Sequence, residues 1–205
     1  MDTIRFIILQ RTKLGERQLV LHTLSAEYGS RSFICAVPRS GALTLPLSIV
    51  EATLIPNSKS DLWRVKDLCP LSPLDNLRSS MTKNAIALFM SEVLYRILKD
   101  GESEDGLYEW TKGMIEELDE IKGSTADFPL HFLLGLCTAL GFKPDSDRLS
   151  PYVEGTPSPA TGAERTAMAE SILRYLSAHT DTRLDIRSLG VLHELCADFV
   201  TLPSR

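Results

Sequence analysis

The apolar positions in the first seventy or so residues recur with a period of two, which is the spacing of strands. Ile4 to Leu9 (I-R-F-I-I-L) is a β-rich run, and Gln10 to Gly15 reads as a polar turn after it. Arg17 to Leu24 puts Leu19 and Leu21 on one face and Val20, His22 and Leu24 on the other. Both faces carry enough apolar surface to be at least partly buried, as in a barrel wall. Ser25 to Gly29 makes a connection in which Gly29 supplies a positive φ. Arg31 to Val37 is a third run, limited by Pro38. Ser40 to Pro46 is loop-like, and Leu47 to Ile55 is a fourth run, stopped by Pro56-Asn57-Ser58. Asp61 to Cys69 alternates most clearly, with Leu62, Arg64, Lys66 and Leu68 on one side and Trp63, Val65, Asp67 and Cys69 on the other. Five short strands in about 70 residues predict a small barrel, with the five-stranded oligonucleotide-binding (OB) barrel the leading candidate.

After Pro70 and Pro73 the period changes to that of a helix. Between Ser80 and Lys99 the stripe runs through Ala85, Ile86, Phe89, Val93, Ile97 and Leu98. Leu107 to Lys122 repeats it through Leu107, Trp110, Met114, Ile115, Leu118 and Ile121. Asp127 is placed to cap a third helix, with Pro129 in its first turn and Gly141 just past its end. That helix is apolar nearly all round, which predicts the centre of a bundle. Ser146 to Pro159 reads as a loop, Thr161 and Glu164 have capping-box spacing before a helix to about His179, and Ser188 is placed to cap a last helix through Phe199. The expected architecture is α+β: an OB-fold β-barrel over residues 1–74, then an all-α helical bundle over 75–205.

Charge sharpens the division. The chain has 205 residues and a net charge of −5, but residues 1–74 carry nine basic and six acidic side chains, a net of +3, which leaves −8 for the remainder. The basic residues of the barrel segment cluster at strand ends and turns. Arg11, Lys13 and Arg17 frame the first turn, Arg31 and Arg39 bracket the third strand, and Arg64 and Lys66 share a face of the fifth. Cations so placed could meet a phosphate backbone in a sequence-independent, salt-sensitive way. Bases could stack on Tyr28, Phe33 or Trp63 if those rings are exposed. The competing explanation is a solvated strand edge on which Lys and Arg deter aggregation.

The motifs that would mark an enzyme are missing. His193-Glu194 begins an H-E-x-x-H pattern, but Ala197 stands where the second His should be, so that zinc site cannot form. There is no G-x-S-x-G and no G-x-x-x-x-G-K-[ST]. Glu116, Glu117, Asp119 and Glu120 read as a solvated helix face. Cys35, Cys69, Cys137 and Cys196 are far apart in apolar settings and read as buried free thiols in a reducing cytoplasm. No run reaches the roughly 18–20 apolar residues of a membrane span, and the start M-D-T-I-R does not look like a signal peptide. The expectation is a cytoplasmic protein with no metal, no cofactor and no enzymatic activity.

The order K-L-G-E-R-Q-L-V-L-H-T-L-S-A-E-Y-G-S-R-S-F-I resembles the N-terminal barrel of the RecO family of bacterial recombination mediators. L-P-L-S-I-V-E-A-T-L and D-L-W-R-V-K-D resemble that family's fourth and fifth strands. I-A-L-F-M-S-E-V-L-Y-R-I-L, F-L-L-G-L-C-T-A-L-G-F-K-P-D and S-L-G-V-L-H-E-L resemble its first, central and C-terminal helices. Many members place a four-cysteine zinc element after the central helix. Here Asp145-Ser146-Asp147-Arg148 is followed by no cysteine until Cys196, which resembles the zinc-free form of Bacteroides-like bacteria. The resemblance implies a non-enzymatic mediator, nucleoid-associated in the bacterial cytoplasm. It would bind single- and double-stranded DNA through the barrel, anneal complementary strands and form a complex with RecR. It would also bind the C-terminal tail of single-stranded-DNA-binding protein (SSB) and help load RecA. That tail ends in an apolar residue and a carboxylate, so its receptor should be an apolar pocket rimmed by cations on the bundle. Arg96 and Lys99, or Lys143 and Arg148, are the candidates. The net acidity keeps an alternative: a protein-only adaptor whose DNA contact is supplied by RecR.

Overall fold

The computed structural model describes residues 2–55, 57, 62–99, 101, 105–142 and 161–198, with side chains described as far as Glu194. The chain divides into two compact units, one of Met1–Asp75 with Leu98–Glu116 and the other of Asn76–Ile97 with Glu117–Arg205.

The first unit is built on a closed five-stranded barrel. Its strands are β1 (Thr3–Leu14), β2 (Gln18–Ser25), β3 (Gly29–Ala36), β4 (Ile49–Ile55) and β5 (Trp63–Pro70). They close in the order β1-β2-β3-β5-β4, with β4 returning to β1. All pairs are antiparallel except β3 with β5. This is the expected OB-type barrel. Ile4, Phe6, Ile8, Leu19, Leu21, Phe33, Cys35, Val50, Ala52, Leu54 and Val65 point inward and form one buried cluster. Phe6 and Phe33 pack ring against ring at 5.4 Å between centroids.

Two bulges depart from the simple alternation. Ile8 pairs with Thr23, yet Gln10 pairs with the very next residue of β2, His22, so Leu9 is an extra residue in β1. Beyond it the strand does not turn at Gln10 as expected. It stays paired with β2 as far as Leu14 opposite Gln18, and the turn falls at Gly15, whose φ is +68°. Polar residues are acceptable in a strand once it runs beyond the closed core. In β5, Cys69 pairs with Glu51 but Lys66 pairs with Thr53, so one extra residue sits between them. Asp67, at φ +55°, absorbs it in the left-handed region that Asp tolerates better than most residues. The expected sides therefore exchange after Val65. Leu68 packs against the core, and Cys69 is exposed rather than buried.

The helices are α1 (Asp75–Ser79), α2 (Met81–Ile97), α3 (Leu107–Glu120), α4 (Phe128–Ala139), α5 (Gly162–His179) and α6 (Ser188–Asp198). Within the second unit, α2 buries Ala85, Ile86, Phe89, Val93 and Ile97 as its period predicts, and Phe89 meets Phe132 of α4 edge to face. Lys83, only 7% exposed, donates to the carbonyls of Asp119 and Ile121 and so satisfies the end of α3. Gly141 takes φ +77° just past α4, and the Phe142 amide reaches back to the Cys137 carbonyl, a helix stop of the Schellman kind. The capping box of α5 is formed in both directions. The Glu164 amide donates to Thr161 Oγ1 at 3.2 Å, and the Thr161 amide donates to Glu164 at 3.0 Å.

Two expected caps have other partners. Asp127 has helical backbone angles and its side chain makes no cap bond; the carboxylate accepts instead from Arg165 Nε of α5 at 2.6 Å. Ser188 is itself capped, because Glu92 of α2 accepts from its amide and hydroxyl and from the Arg187 amide. Burial alone would raise the Glu92 carboxyl, but these hydrogen bonds from Ser188 and Arg187, with Arg96 nearby, hold it below its usual value. The loop expected at Ser146 to Pro159 and the helix end at Phe199 lie outside the described residues.

Candidate nucleic-acid interface

The Leu9 bulge decides which side of β1 its cations occupy. Side chains directly opposite each other in an antiparallel pair share a face of the sheet. Arg11 is opposite Leu21 and Lys13 is opposite Leu19, and both leucines point into the barrel. On β3, Phe33 and Cys35 complete the same two rows. Without the extra residue, Gln10, Thr12 and Leu14 would take that side. With it, Arg11 and Lys13 stand on the inner face where the wall runs on past the core. The row continues to Arg17, whose carbonyl accepts from the Val37 amide at 3.0 Å.

The result is a cleft of about 430 Å³ at this mouth of the barrel, lined by Arg11, Lys13, Glu16, Leu19, Val37, Pro38, Gly41 and Thr44. Arg11 is held in place: its Nη1 donates to Thr44 Oγ1 at 2.6 Å. Thr44 is buried in a 3-10 turn, Gly41–Thr44, within the segment expected to be loop. Lys13, Arg17 and Arg39 are exposed, with Arg39 next to the lining residue Pro38. The floor is aliphatic, with Val37 52% exposed.

The other barrel cations do not join this group. Arg31 is opposite Thr23, four positions along β2 from Leu19, or roughly 13 Å at 3.3 Å per residue. It lies toward the opposite end of the barrel, with its guanidinium carbon 3.7 Å from the Trp63 ring centroid and 5.8 Å from that of Tyr28. Tyr28 and Trp63 meet edge to face at 5.3 Å, so the guanidinium and both rings close that end together. Phe33, expected to offer a stacking platform only if exposed, is fully buried. Arg64 and Lys66 of β5 are exposed on the outer surface, flanking the inward Val65, and Lys66 is 3.6 Å from Asp67. The seven cations thus separate into Arg11 and Lys13 lining the mouth, Arg17 and Arg39 exposed on chain next to it, Arg31 toward the other end, and an outer pair Arg64 and Lys66.

Lys99 is exposed but belongs to the first unit, Lys143 and Arg148 lie outside the described residues, and Arg96 is exposed in the last turn of α2 in the second unit. An apolar cleft of about 290 Å³ does occur in this unit, between α4, α5 and α6. Pro129, Leu130, Ala169, Leu189 and Leu192 line it, with Arg165, Thr166 and His193 among its polar residues. His193 Nδ1 is 3.1 Å from Thr166 Oγ1. Arg165 escaped the sequence reading, although a cation in the first turn of a helix opposes the dipole and asks for a partner, here Asp127.

Three of the four cysteines are described, and the Cys196 side chain lies outside the described residues. Cys35 belongs to β3, Cys69 to β5 and Cys137 to α4, and no three His, Cys, Asp or Glu side chains come together among the described residues. Burial pushes the Cys35 and Cys137 thiols up to about 11, so at neutral pH they stay protonated and inert. No described helix is long and apolar enough to cross a membrane.

Comparison with known proteins adds the family. Residues 78–150 match the family model for the C-terminal part of recombination protein O. The DNA repair protein RecO of Porphyromonas gingivalis is 34% identical over 151 residues, covering 69% of this chain and 61% of the relative. RecO of Bacteroides fragilis is 31% identical over 147 residues, with the same two shares. RecO of Flavobacterium johnsoniae is 25% identical over 197 residues, 92% of this chain and 76% of the relative. The chain belongs to the RecO family. It spans about three fifths of the length of the first two relatives. The family-model match begins in α1 and runs through α4, while the Flavobacterium match covers nearly the whole chain. A barrel followed by helices is consistent with that family's OB-fold N-terminal domain and helical C-terminal domain.

Proposed function

We propose that this protein is a DNA-binding recombination mediator. It binds single- and double-stranded DNA at the barrel mouth and anneals complementary strands. Together with RecR it helps load RecA onto SSB-coated single strands in the bacterial cytoplasm, at the nucleoid. The observation that carries the DNA reading is the placement of Arg11 and Lys13 on the inner face of the mouth, in a concave site with Arg17 and Arg39 around it. Cations that converge in a cleft focus potential on a passing backbone in a way that cations scattered along an outer edge do not. Fluorescence anisotropy of a labelled oligonucleotide tests it. Single strands should bind with micromolar or tighter affinity that weakens steeply with salt, and changing Arg11, Lys13 and Arg39 together to Ala should reduce the affinity at least tenfold. Unchanged affinity in that variant would rule out this face.

The partner contacts extend the proposal. The cleft between α4, α5 and α6 is apolar with Arg165 and His193 beside it, which suits a peptide ending in an apolar residue and a carboxylate better than the exposed Arg96 and Lys99 do. We therefore assign the SSB tail to it. Arg165→Ala should weaken a labelled tail peptide, whereas an equal loss in Arg96→Ala and none in Arg165→Ala would move the site back to α2.

The second reading is a protein-only adaptor whose DNA contact is made by RecR. The net charge of −5 and the presence of Glu16 in the mouth favour it. No oligonucleotide binding by the protein alone, but binding once RecR is added, would select it.

A further inference from the structure

We propose that the barrel mouth grips a nucleic-acid strand by its phosphodiester backbone alone, leaving the bases unstacked on protein and free to pair. The inference rests on the DNA reading above and concerns how that site holds its ligand.

It begins from what lines the cleft. The polar groups there, apart from the Glu16 carboxylate, are the Arg11 guanidinium, the Lys13 ammonium and the Thr44 hydroxyl, and the apolar surface is Leu19, Val37 and Pro38. Guanidinium and ammonium groups are phosphate partners. Aliphatic side chains exclude water beneath a sugar but present no ring to a base.

The second observation is where the aromatic rings of the barrel have gone. Residues 1–75 contain four Phe, Tyr or Trp rings, Phe6, Tyr28, Phe33 and Trp63, and one imidazole, His22, whose ring nitrogens meet Thr12 and Ser32. Phe6 and Phe33 are fully buried against each other in the core. Trp63 lies under the Arg31 guanidinium at 3.7 Å and takes Tyr28 edge to face. Trp63 pairs with Phe33, in the row of Arg11, but its ring is taken by Arg31 and Tyr28 toward the other end of the barrel. Arg31 is roughly 7 Å along the strand from the Arg11 row and roughly 13 Å from the Lys13 row at 3.3 Å per residue. Single-strand-binding barrels commonly combine a basic groove with aromatic platforms. Here the rings are taken by Arg31 and the core, and none lines the cleft.

The consequence is functional. A strand held by base stacking must give up those stacks before it can pair with a complement. A strand held by phosphates keeps its base edges exposed while bound. Annealing can then proceed on the protein, and its rate should follow occupancy of the mouth rather than release from it.

The test uses the full chain with two fluorescein-labelled oligomers of equal length at one low salt concentration: an oligothymidylate, and the same backbone made entirely of abasic sites. The expected result is affinities equal within twofold, both lowered at least tenfold by Arg11→Ala/Lys13→Ala, with Trp63→Phe lowering neither. An abasic oligomer that binds tenfold or more weaker than oligothymidylate would overturn the backbone-only grip while leaving DNA binding intact. Binding of neither oligomer would overturn this inference together with the DNA reading beneath it.

Discussion

The two ends of the barrel carry the same kind of charge on the same inner face and put it to different uses. At one end β1 overshoots the core, the Leu9 bulge turns Arg11 and Lys13 inward, and the cations look into an open cleft with an aliphatic floor. At the other, Arg31 lies over Trp63 beside Tyr28, and its charge is spent on closing the barrel. A cation's position relative to the end of the core decides whether it is available to a ligand. Its sequence neighbourhood does not: Arg31 sits in as polar a setting (Y-G-S-R-S) as Arg11 does (L-Q-R-T-K).

That contrast can be broken from the middle first. Phe33→Ala removes the ring between the two ends and should cost about 3–5 kcal/mol in a denaturant titration, as large-to-small changes of buried Phe do. A loss under about 1 kcal/mol would mean that Phe33 is not the buried aromatic described here. Next in size is the mouth. Arg11→Ala/Lys13→Ala should weaken single-strand binding at least tenfold, about 1.4 kcal/mol. Its unfolding midpoint should stay close to that of the parent, since exposed positions contribute about 0.5 kcal/mol or less.

Arg31→Ala should give the reverse pattern. Losing the guanidinium over Trp63 should cost about 1 kcal/mol of stability, and DNA affinity should stay within twofold. A large loss of DNA affinity with unchanged stability would put Arg31 in the interface and undo the contrast.

The smallest effect tests the second bulge. Cys69 should react quickly with a thiol reagent at neutral pH, while Cys35, whose thiol burial pushes up to about 11, should react only on unfolding. Cys69→Ser should remove one fast-reacting thiol, and Cys35→Ser should remove none. If Cys69 were as slow as Cys35, β5 would run without its extra residue and the sides of Leu68 and Cys69 would be exchanged.

These cases show which parts of the structure could be read from the chain. All five strands, the order of barrel then helices, and the capping box at Thr161 and Glu164 follow from local patterns, because period and cap spacing are local properties. The bulges at Leu9 and Asp67 are not visible in that way. Leu9 is as apolar as Ile7 and Ile8, so the alternation gives no sign that one residue is extra. One extra residue reverses every facing after it. That is why the inward placement of Arg11 and Lys13 was not legible, while Gln10–Gly15 reads as a turn because it is polar and ends in glycine. The partners of Asp127 and Ser188 were hidden for another reason. Arg165 is 38 residues from Asp127, and Glu92 is 96 from Ser188, so only the folded helices bring them together. The charges of the candidate site were plain in the sequence, but their grouping was set by register.

The most direct test of the division between the two ends is the salt dependence of single-strand binding. The slope of log K against log salt should be measured for the parent, for Arg11→Ala/Lys13→Ala and for Arg31→Ala. Each phosphate contact to a single strand contributes about 0.7 to that slope. The mouth variant should therefore have a slope shallower by about 1.4 for two lost contacts, and Arg31→Ala should keep the parent's slope. A shallower slope in Arg31→Ala, with none in the mouth variant, would contradict the account.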